Sequence, residues 1–386
     1  MALTGGGWPI LGGARSAVAP VGGALSKLAI HELAAPVIQH LLAQIQLPVS
    51  AVDALVLGNA LGANGNPARM VALAAGLSTA CPAMTIDTQC CSGLDAITQA
   101  CGLLALGQAQ VVIAGGVEAW SRAPIRMHRP VQPGEIAQRY EQPAFAPPPF
   151  RDPDMLEAAA DTAQHLGISR QQQDAYAIQS HQHAMQAAQR IAMEIVPVAG
   201  LANDTYPRLM LAQRVARMPA IQHRLHDTGL DCSLSVVGIS PKADGAAFVV
   251  LATPQACERW NLQPQARWLD SLSQGSSPEA PMLSVIGPVK SLLQRHRLHP
   301  KQLSAFELHD AFAGQGLALC DALGISTRCI NRQGGGLARG HPIGASGAIA
   351  LVRALSQIKH AHPQARAIAC VAGAGGLGTA TLLAPW

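Results

Sequence analysis

Apolar residues along the first 120 positions follow helical spacing in some segments and form short strand-like runs in others. Residues 30–46 carry apolar side chains at helical spacing, which predicts a helix with Pro36 in its first turn or at a kink. The other elements predicted here are strands at 55–58, 83–87 and 110–116 and helices at 67–75 and 92–106. Because strands that alternate with helices form layered folds, the pattern favours an α/β protein with a largely parallel sheet.

Residues 120–240 have a different pattern, in which Pro, Gln, His, Met and Arg become frequent. The proline-rich segment 143–154 is predicted to lack regular structure. Two helices are predicted after it, at 154–167 and 169–189. Ser169 is a suitable N-cap for the second helix, and Gln172 completes a capping box. We therefore expect an inserted domain or lid, after which the α/β pattern resumes at residue 244.

The last third of the chain repeats the order of features in the first third. Cys90 comes before a helix rich in small residues and the apolar strand QVVIAGG. His341 comes before PIGASGAIALVRALSQI and the strand ARAIACVAGAGG. This order predicts two similar halves rather than a short-period repeat. The Gly and Ala content of both helices predicts close backbone packing, with the two helices against each other.

Composition and charge narrow the functional classes. In 386 residues the hydrophobic fraction is 49% and the charged fraction 13%, which excludes intrinsic disorder. The net charge is +4 without a cluster of Lys and Arg, so we expect no nucleic-acid partner. No apolar run approaches the roughly 18 residues of a membrane span, and the first 18 residues do not have the pattern of a signal peptide.

The cysteines add a prediction about compartment. There are nine, an odd number, and none forms the paired CxxC sets of a zinc site. We therefore expect reduced thiols, no disulfide framework, no metal site and a cytoplasmic protein.

Cys90 is the first candidate catalytic residue. It follows a predicted strand and stands at the predicted start of a helix, where the helix dipole is expected to lower the thiol pKa and produce a nucleophile. For a lone cysteine, the simpler alternative is a small buried apolar residue.

Several motifs occur in one order over nearly the whole chain. They are QCCSGL at 89–94, AGGVEAWSRAP at 114–124, HDAFA at 309–313 and GGLARGHPIGASG at 335–347. With GARSAV, VLGNALGANGNPAR and LGISRQQQDAYAIQSHQHA around them, the chain resembles the thiolase family. The resemblance implies a five-layered αβαβα fold of two similar halves with an inserted loop domain. It also implies a transferase of lipid metabolism that moves acyl groups between CoA thioesters, by 3-ketoacyl-CoA thiolysis or Claisen condensation.

Domain limits and partners follow from the same resemblance. The first half is expected at 1–119, completed by about 241–263, the loop domain at 120–240 and the second half at 264–386. CoA and acyl-CoA are expected as substrates, with no further cofactor. A homodimer or homotetramer is expected, and a partner subunit is possible.

The family's motifs assign roles to three residues of this chain. Cys90 corresponds to the acyl-accepting nucleophile, and His341 to the base that activates it. Most thiolases have Asn-Glu where this chain has His309-Asp310. The histidine resembles a branch that includes the thiolase subunits of fatty-acid oxidation complexes and the sterol-carrier-type thiolases. There the side chain helps to form an oxyanion hole.

The chain departs from the family near its C-terminus. The family has a second cysteine, a general acid/base, six residues before the last Gly of a loop similar to residues 372–378. That position holds Ala372, and Cys370 lies two residues earlier. Either the loop bulges and Cys370 is catalytic, or Cys370 is an ordinary strand residue, which the alternation of ARAIAC favours. The N–H groups of Cys90 and Ala374 are expected to form the second oxyanion hole.

CoA contacts and alternative functions complete the expectations. By position in the family, four residues are candidates for the CoA site: Met155, Arg217, Ser240 and Phe312. One alternative function is a specialised acyl-transferring or condensing enzyme of secondary metabolism that lacks the second cysteine. The other is a degenerate subunit that binds acyl-CoA. The presence of Cys90, His309 and His341 argues against this last alternative.

Overall fold

The computed structural model describes residues 6–62 and 64–386. Residues 1–5, which begin the segment expected to lack a signal peptide, lie outside the described residues. The strands are β1 Trp8–Ser16, β2 Ala19–Pro20, β3 Ala54–Gly58, β4 Ala83–Ile86, β5 Val111–Ala119, β6 Arg126–His128, β7 Gln138–Tyr140, β8 Ile195–Val196, β9 Ala220–Gln222, β10 Leu234–Ser235, β11 Ala243–Ala252, β12 Ala266–Gly275, β13 Ala305–His309, β14 Ala367–Gly373 and β15 Leu377–Pro385. The helices are α1 Ile30–Gln44, α2 Pro67–Ala74, α3 Ser92–Ala105, α4 Met155–His165, α5 Arg170–Gln186, α6 Ala188–Ala192, α7 Ala212–Val215, α8 Pro254–Arg259, α9 Ile286–Arg295, α10 Ala313–Leu323, α11 Gly336–Arg339 and α12 Ser346–Ile358.

Most strands belong to one hydrogen-bonded arrangement. Its order is β13-β14-β15-β12-β1-β11-β5-β3-β4, with β2 beside β11 and β8 beside β1. The arrangement divides into two halves where residues 8–10 of β1 pair with residues 266–268 of β12. Two small hairpins, β6–β7 and β9–β10, lie in the part of the chain between the halves.

The prediction of a largely parallel sheet is wrong. β3 runs parallel to β4 and β5, and β13 runs parallel to β14. However, β11 is antiparallel to both β1 and β5, and β15 is antiparallel to both β12 and β14. The reason is the length of the connections: only three residues, Ala374–Gly376, join β14 to β15. A parallel crossover needs a dozen or more residues, so this connection requires an antiparallel pair.

Helices cover the sheets on both sides and also separate them. α1 and α2 pack on the outer side of the first half, and α9 packs on β12 and β15 of the second half. α3 and α12 lie between the halves and contact each other. A Cβ atom on Gly93 would lie 2.8 Å from the Ala348 nitrogen, and one on Gly347 would lie 2.9 Å from Leu94 Cγ. The predicted close packing of these two helices is confirmed, and the five layers are αβαβα.

Local sequence signals account for the helices that position the site. The helix predicted at 30–46 is α1, with Pro36 inside it rather than in its first turn. α5 begins at Arg170 after its N-cap Ser169, whose Oγ accepts from the Gln172 N–H in the predicted capping box. No helix or strand occurs in the proline-rich segment 143–154, as predicted. None of the helices in the described residues is long and apolar enough to cross a membrane.

The core is aliphatic, and its largest fully buried side chains are arginines. Arg15, Arg339 and Arg353 are each at most 1% exposed. Arg15 and Arg353 both pair with Glu194, at 2.9 and 2.7 Å, and Arg353 also reaches Glu307. Buried charges are tolerated when they are paired and hydrogen-bonded. This ion cluster connects β1, α12 and β13, and α12 and β13 are elements that lead to His341 and His309.

Candidate active site

Cys90 stands in a tight turn between β4 and α3. The preceding residue, Gln89, has φ 55°, a left-handed conformation that is uncommon for a residue with a side chain. Cys91 is the N-cap of α3. Ser92 Oγ accepts from the Thr88 N–H at 2.9 Å and donates to the Gln89 carbonyl at 2.5 Å. The turn that presents the Cys90 sulfur is therefore closed by the first residue of the helix.

His341 is the nearest side-chain partner of this sulfur. Its Nε2 lies 3.1 Å from Cys90 Sγ. Its Nδ1 lies 2.8 Å from Ser346 Oγ, and Ser346 Oγ donates its proton to the Pro342 carbonyl at 2.9 Å. Since the hydroxyl has one proton, it accepts from an Nδ1–H group. Nε2 then carries the lone pair that faces the thiol, which is the arrangement of a general base.

Burial sets the charge state of the pair. It lowers the pKa of His341 to about 4 and raises the pKa of Cys90 to about 12. Hydrogen bonds from the N–H groups of Ala374 and Cys90 lower the thiol pKa, but they do not offset burial. At neutral pH the resting pair is therefore a thiol and a neutral imidazole.

The expectation of a lowered Cys90 pKa is wrong. Cys90 is 7% exposed and precedes the N-cap instead of lying in the first helical turn. Desolvation is the largest influence, and the carboxylates of Glu118 and Asp87 raise the pKa further. A proton-accepting neighbour is thus needed at the moment of attack.

His309, the last residue of β13, forms the third part of the site. Its ring stacks on His341 with centroids 4.4 Å apart and planes 26° from parallel. It is 2% exposed, and its Nε2 has no hydrogen-bond partner in the part of the chain that the structure describes. Burial, with His341 and Arg339 nearby, holds its pKa well below the usual range. A neutral imidazole with an unpartnered nitrogen has the capacity for one further hydrogen bond.

The structure does not bring Cys370 to this group. Cys370 lies on β14 at 0% exposure and packs with Leu308 and Cys320 on the outer side of the second half. Its neighbour Val371 belongs to the cluster between the sheets, which also contains Cys90. Side chains alternate along a strand, so the Cys370 sulfur faces away from that cluster. Ala372, two residues beyond Cys370, belongs to the same outer cluster as Cys370.

The residues proposed for CoA binding fall into two groups. Phe312 and Met155 pack in one apolar cluster. Ser240 lies beside them: its N–H donates to the Ala311 carbonyl at 2.8 Å, and its Oγ donates to the Gly336 carbonyl at 2.7 Å. Arg217 stands apart on the exposed surface of the loop domain, where its Nε donates to the Gln213 carbonyl. Ser240 therefore links the loops that follow β13 and precede His341.

Sequence reasoning missed Ser346 and Glu118. Ser346 is a polar residue within the small-residue motif that follows His341. Glu118 is a charged residue in an otherwise apolar strand, and that contrast was an available signal. Both contact the turn at residues 342–345 that connects His341 to α12.

No group of three or more His, Cys, Asp or Glu side chains within residues 6–62 and 64–386 could hold a metal ion. All nine cysteines are free, and all except Cys329 are buried. A cavity of about 940 Å³ runs along β4. Its lining includes Met84 and Arg126 but not Cys90.

Comparison with known proteins gives matches over the whole chain. Residues 9–255 match the model of the thiolase N-terminal domain, and residues 262–385 match that of the thiolase C-terminal domain. VraB of Staphylococcus epidermidis, named as an acetyl-CoA C-acetyltransferase, is 35% identical over 98% of each chain. YhfS of Bacillus subtilis, with the same enzyme name, is 34% identical over 93% of this chain and 94% of its own.

Solved structures agree with these sequence matches. The Bacillus anthracis acetyl-CoA acetyltransferase superimposes with a TM-score of 0.89 at 28% identity, covering 98% of this chain and 99% of its own. The Acat5 thiolase of Ascaris suum, solved in complex with coenzyme A, superimposes with a TM-score of 0.87 at 26% identity, covering 99% of this chain and 100% of its own.

Proposed function

The chain belongs to the thiolase family and is an acyltransferase of CoA thioesters, and from that premise we propose that Cys90 accepts the acyl group, His341 takes the thiol proton and His309 donates to a substrate oxygen. The observation that carries this assignment is the 3.1 Å contact between Cys90 Sγ and His341 Nε2, with Ser346 fixing the tautomer. The stacked imidazole of His309 supplies the open nitrogen.

The reaction follows from these positions. The Cys90 sulfur attacks the 3-keto carbon of a 3-ketoacyl-CoA while its proton passes to His341 Nε2. The N–H groups of Cys90 and Ala374, which hydrogen bond the resting sulfur, are placed to receive the new oxyanion. The bond between the α-carbon and the keto carbon breaks, and the enolate of acetyl-CoA takes up a proton. The thiol of a second CoA then removes the acyl group and restores Cys90.

A second candidate is acyl transfer without carbon–carbon chemistry. It is favoured by the position of Cys370, which faces the outer side of β14, and by the methyl side chain at Ala372. Protonating or deprotonating the substrate α-carbon needs an acid/base within hydrogen-bond reach. With no thiol there, the proton on His341, or an imidazole such as that of His309, would have to serve.

Incubation with a series of 3-ketoacyl-CoAs plus CoA separates these candidates. Intact-protein mass reports the acyl adduct on Cys90, and product analysis reports thiolysis. An adduct with turnover supports the thiolase reaction, and an adduct without thiolysis supports the specialised transferase. No adduct with any thioester would leave only the degenerate acyl-CoA-binding subunit.

Substrate contacts and context extend the proposal. Phe312, Met155 and Ser240 support a pantetheine site beside the loops that carry His309 and His341, and Arg217 is proposed for the CoA site from sequence position alone. CoA and acyl-CoA are proposed as the substrates, with no further cofactor. The link to the fatty-acid-oxidation branch stays a prediction.

We also propose a homodimer or homotetramer in the cytoplasm. Among the described residues no strand pairs with the outer edge of β4, and its Met84 is 46% exposed. An open edge of this kind is suited to a second copy of the chain. The division into 1–119 with about 241–263, 120–240 and 264–386 is retained as the proposed domain organisation.

A further inference from the structure

Glu118 is a buried carboxylate that no step of the proposed reaction uses. It lies near the end of β5, among Val, Ile, Ala and Gly residues, and it is 1% exposed. A buried carboxylate is costly unless its oxygens are hydrogen-bonded. The donors that surround it therefore indicate what the residue does.

Three donors meet at this carboxylate, and they come from both halves of the protein. Oε1 accepts from Asn59 Nδ2 at 2.7 Å. Oε2 accepts from the Ala60 N–H and from the Gly344 N–H, each at 3.0 Å. Asn59 and Ala60 follow β3 in the first half, whereas Gly344 lies three residues after His341 in the second half. One side chain thus joins the two halves beside the reacting pair.

The turn that Glu118 contacts rests on glycines. A Cβ atom on Gly116 would lie 2.0 Å from the Gly344 carbonyl oxygen, and one on Gly58 or Gly93 would lie 2.8 or 2.9 Å from it. Backbone therefore packs directly on backbone at this contact. Such a contact brings the turn close but gives it few side-chain constraints, so the hydrogen bond from Gly344 to Glu118 sets where the turn rests.

We propose that Glu118 is a positioning residue for acyl transfer, whose carboxylate fixes the turn at 342–345 against residues 59–60 and so holds His341 Nε2 within reach of the Cys90 proton. The proposal rests on the proposed function for the reaction that it serves. A displacement of about 1 Å between reacting groups can reduce a rate by roughly 10²-fold. Loss of this contact is therefore expected to slow acylation more than substrate binding.

The charge state of Glu118 gives the proposal a pH signature. Burial raises its pKa to about 7, although the hydrogen bonds from the Ala60 and Gly344 N–H groups lower it. The charged and titratable neighbours are Asp87, which raises this pKa further, Cys90, and Arg126, whose guanidinium donates to the Ala60 and Leu61 carbonyls. The ionised carboxylate accepts all three bonds, whereas the protonated acid has a donor in place of one acceptor. The contact is complete only above about pH 7.

Stability should change in the opposite direction. Between the ordinary pKa of 4.5 and about 7, the folded state holds the Glu118 proton more tightly than the unfolded state does. The carboxyl therefore lowers the stability of the fold as pH rises through this window. A residue with a purely structural role would not give faster chemistry together with lower stability.

Glu118→Gln tests the proposal, with Asp244→Asn as its matched control. Asp244 is another fully buried carboxyl of the first half, which accepts from Ser121 N and Oγ. The rate of Cys90 acetylation by acetyl-CoA is measured by quenched intact-protein mass from pH 5.5 to 8.5. We expect the wild-type rate to rise through about pH 7. In Glu118→Gln the acetylation rate at pH 8 should fall roughly 10- to 100-fold, with KM little changed. The rise of the rate through about pH 7 should also disappear. Asp244→Asn should keep the wild-type acetylation rate and its pH transition.

Asn59→Ala is a second variant that retains Glu118. It removes one donor to the carboxylate and leaves the Gly344 contact in place. Fewer donors stabilise the charged form less, so the pH transition should move above that of the wild type. This measurement keeps the proposal falsifiable if Glu118→Gln does not fold.

Hydrogen exchange tests the positioning without relying on activity. Glu118→Ala should accelerate amide exchange in the peptide that contains residues 341–346, while Asp244→Asn should not. If wild-type Cys90 is not acetylated, the proposed function fails, and the exchange result still decides the role of Glu118. Unchanged exchange would overturn the proposal. So would a Glu118→Gln enzyme that is acetylated within about 3-fold of the wild-type rate at pH 8.

Discussion

The loops that carry Cys90 and His341 occupy equivalent places in the two halves, but the structure holds them differently. Each reactive residue follows a residue with positive φ, Gln89 at 55° and Gly340 at 117°. Cys90 is then followed at once by the N-cap of α3, whereas His341 is followed by a turn before α12 begins at Ser346. The nucleophile is thus fixed by its own helix, and the base needs contacts from elsewhere.

Those contacts come from the opposite half in both cases. The strand after α3 supplies Glu118, an acceptor, to the turn that follows His341. The strand after α12 leads to Ala374, whose N–H is a donor to the Cys90 sulfur. The two strands therefore bring opposite groups to the site, a carboxylate to the turn after His341 and an N–H donor to the Cys90 sulfur. A sulfur that becomes anionic, and an oxyanion that forms beside it, need donors.

Removing the nucleophile should have the largest effect and is the strongest test of the different roles of the two loops. Cys90→Ala should abolish the acyl-enzyme and lower the acyl-transfer rate by about 10⁴-fold or more, because no other thiol lies beside His341 in the described residues. Intact-protein mass after incubation with acetyl-CoA checks the adduct, and thermal unfolding checks the fold. An acyl adduct on the variant would show that another cysteine accepts the group.

Removing the base should have the next largest effect. His341→Ala should slow acylation by roughly 10²- to 10⁴-fold, the range of a positioned general base. Because burial raises the pKa of Cys90 to about 12, raising the pH to 9 should not restore the rate. The acylation rate of the variant is measured from pH 7 to 9. Recovery at pH 9 would show that the thiol ionises without its neighbour.

His309 separates the two chemical steps. If its open nitrogen donates to the thioester oxygen, His309→Ala should reduce carbon–carbon bond cleavage or formation by roughly 10²- to 10³-fold, and acylation of Cys90 much less. Thiolysis of a 3-ketoacyl-CoA is compared with acetylation by acetyl-CoA in the same preparation. Equal losses in both would indicate a general defect in folding or binding.

The smallest effect is expected from Cys370, on β14 of the second half. Cys370→Ala should change acylation and thiolysis by less than about 2-fold and lower stability by about 1 kcal/mol, because the sulfur is buried on the outer side of β14. Steady-state kinetics and urea unfolding measure the two quantities. A variant with normal acylation but no thiolysis would instead make Cys370 the missing acid/base.

Local patterns predicted the elements well, and connections were predicted less well. Helical spacing identified α1 and a capping box identified the start of α5, because these signals lie within a few residues of each other. The antiparallel pairing of β1 with β11 depends on contacts such as Ile10 with Leu251, which are far apart in sequence. The motifs predicted Cys90, His341 and His309 as candidates. They could not give the Cys90 pKa, which depends on burial by both halves.

The arrangement of the site also has a consequence for protein synthesis. Cys90 and His341 are separated by 251 positions, and the ribosome makes a chain from its N-terminus. The first half therefore emerges with its thiol long before the imidazole and the Ala374 N–H exist. During translation the nucleophile has no base, so a nascent or prematurely terminated chain cannot trap acyl groups from cellular thioesters by this route. Reactivity is acquired only when the last strands of the chain have joined the fold.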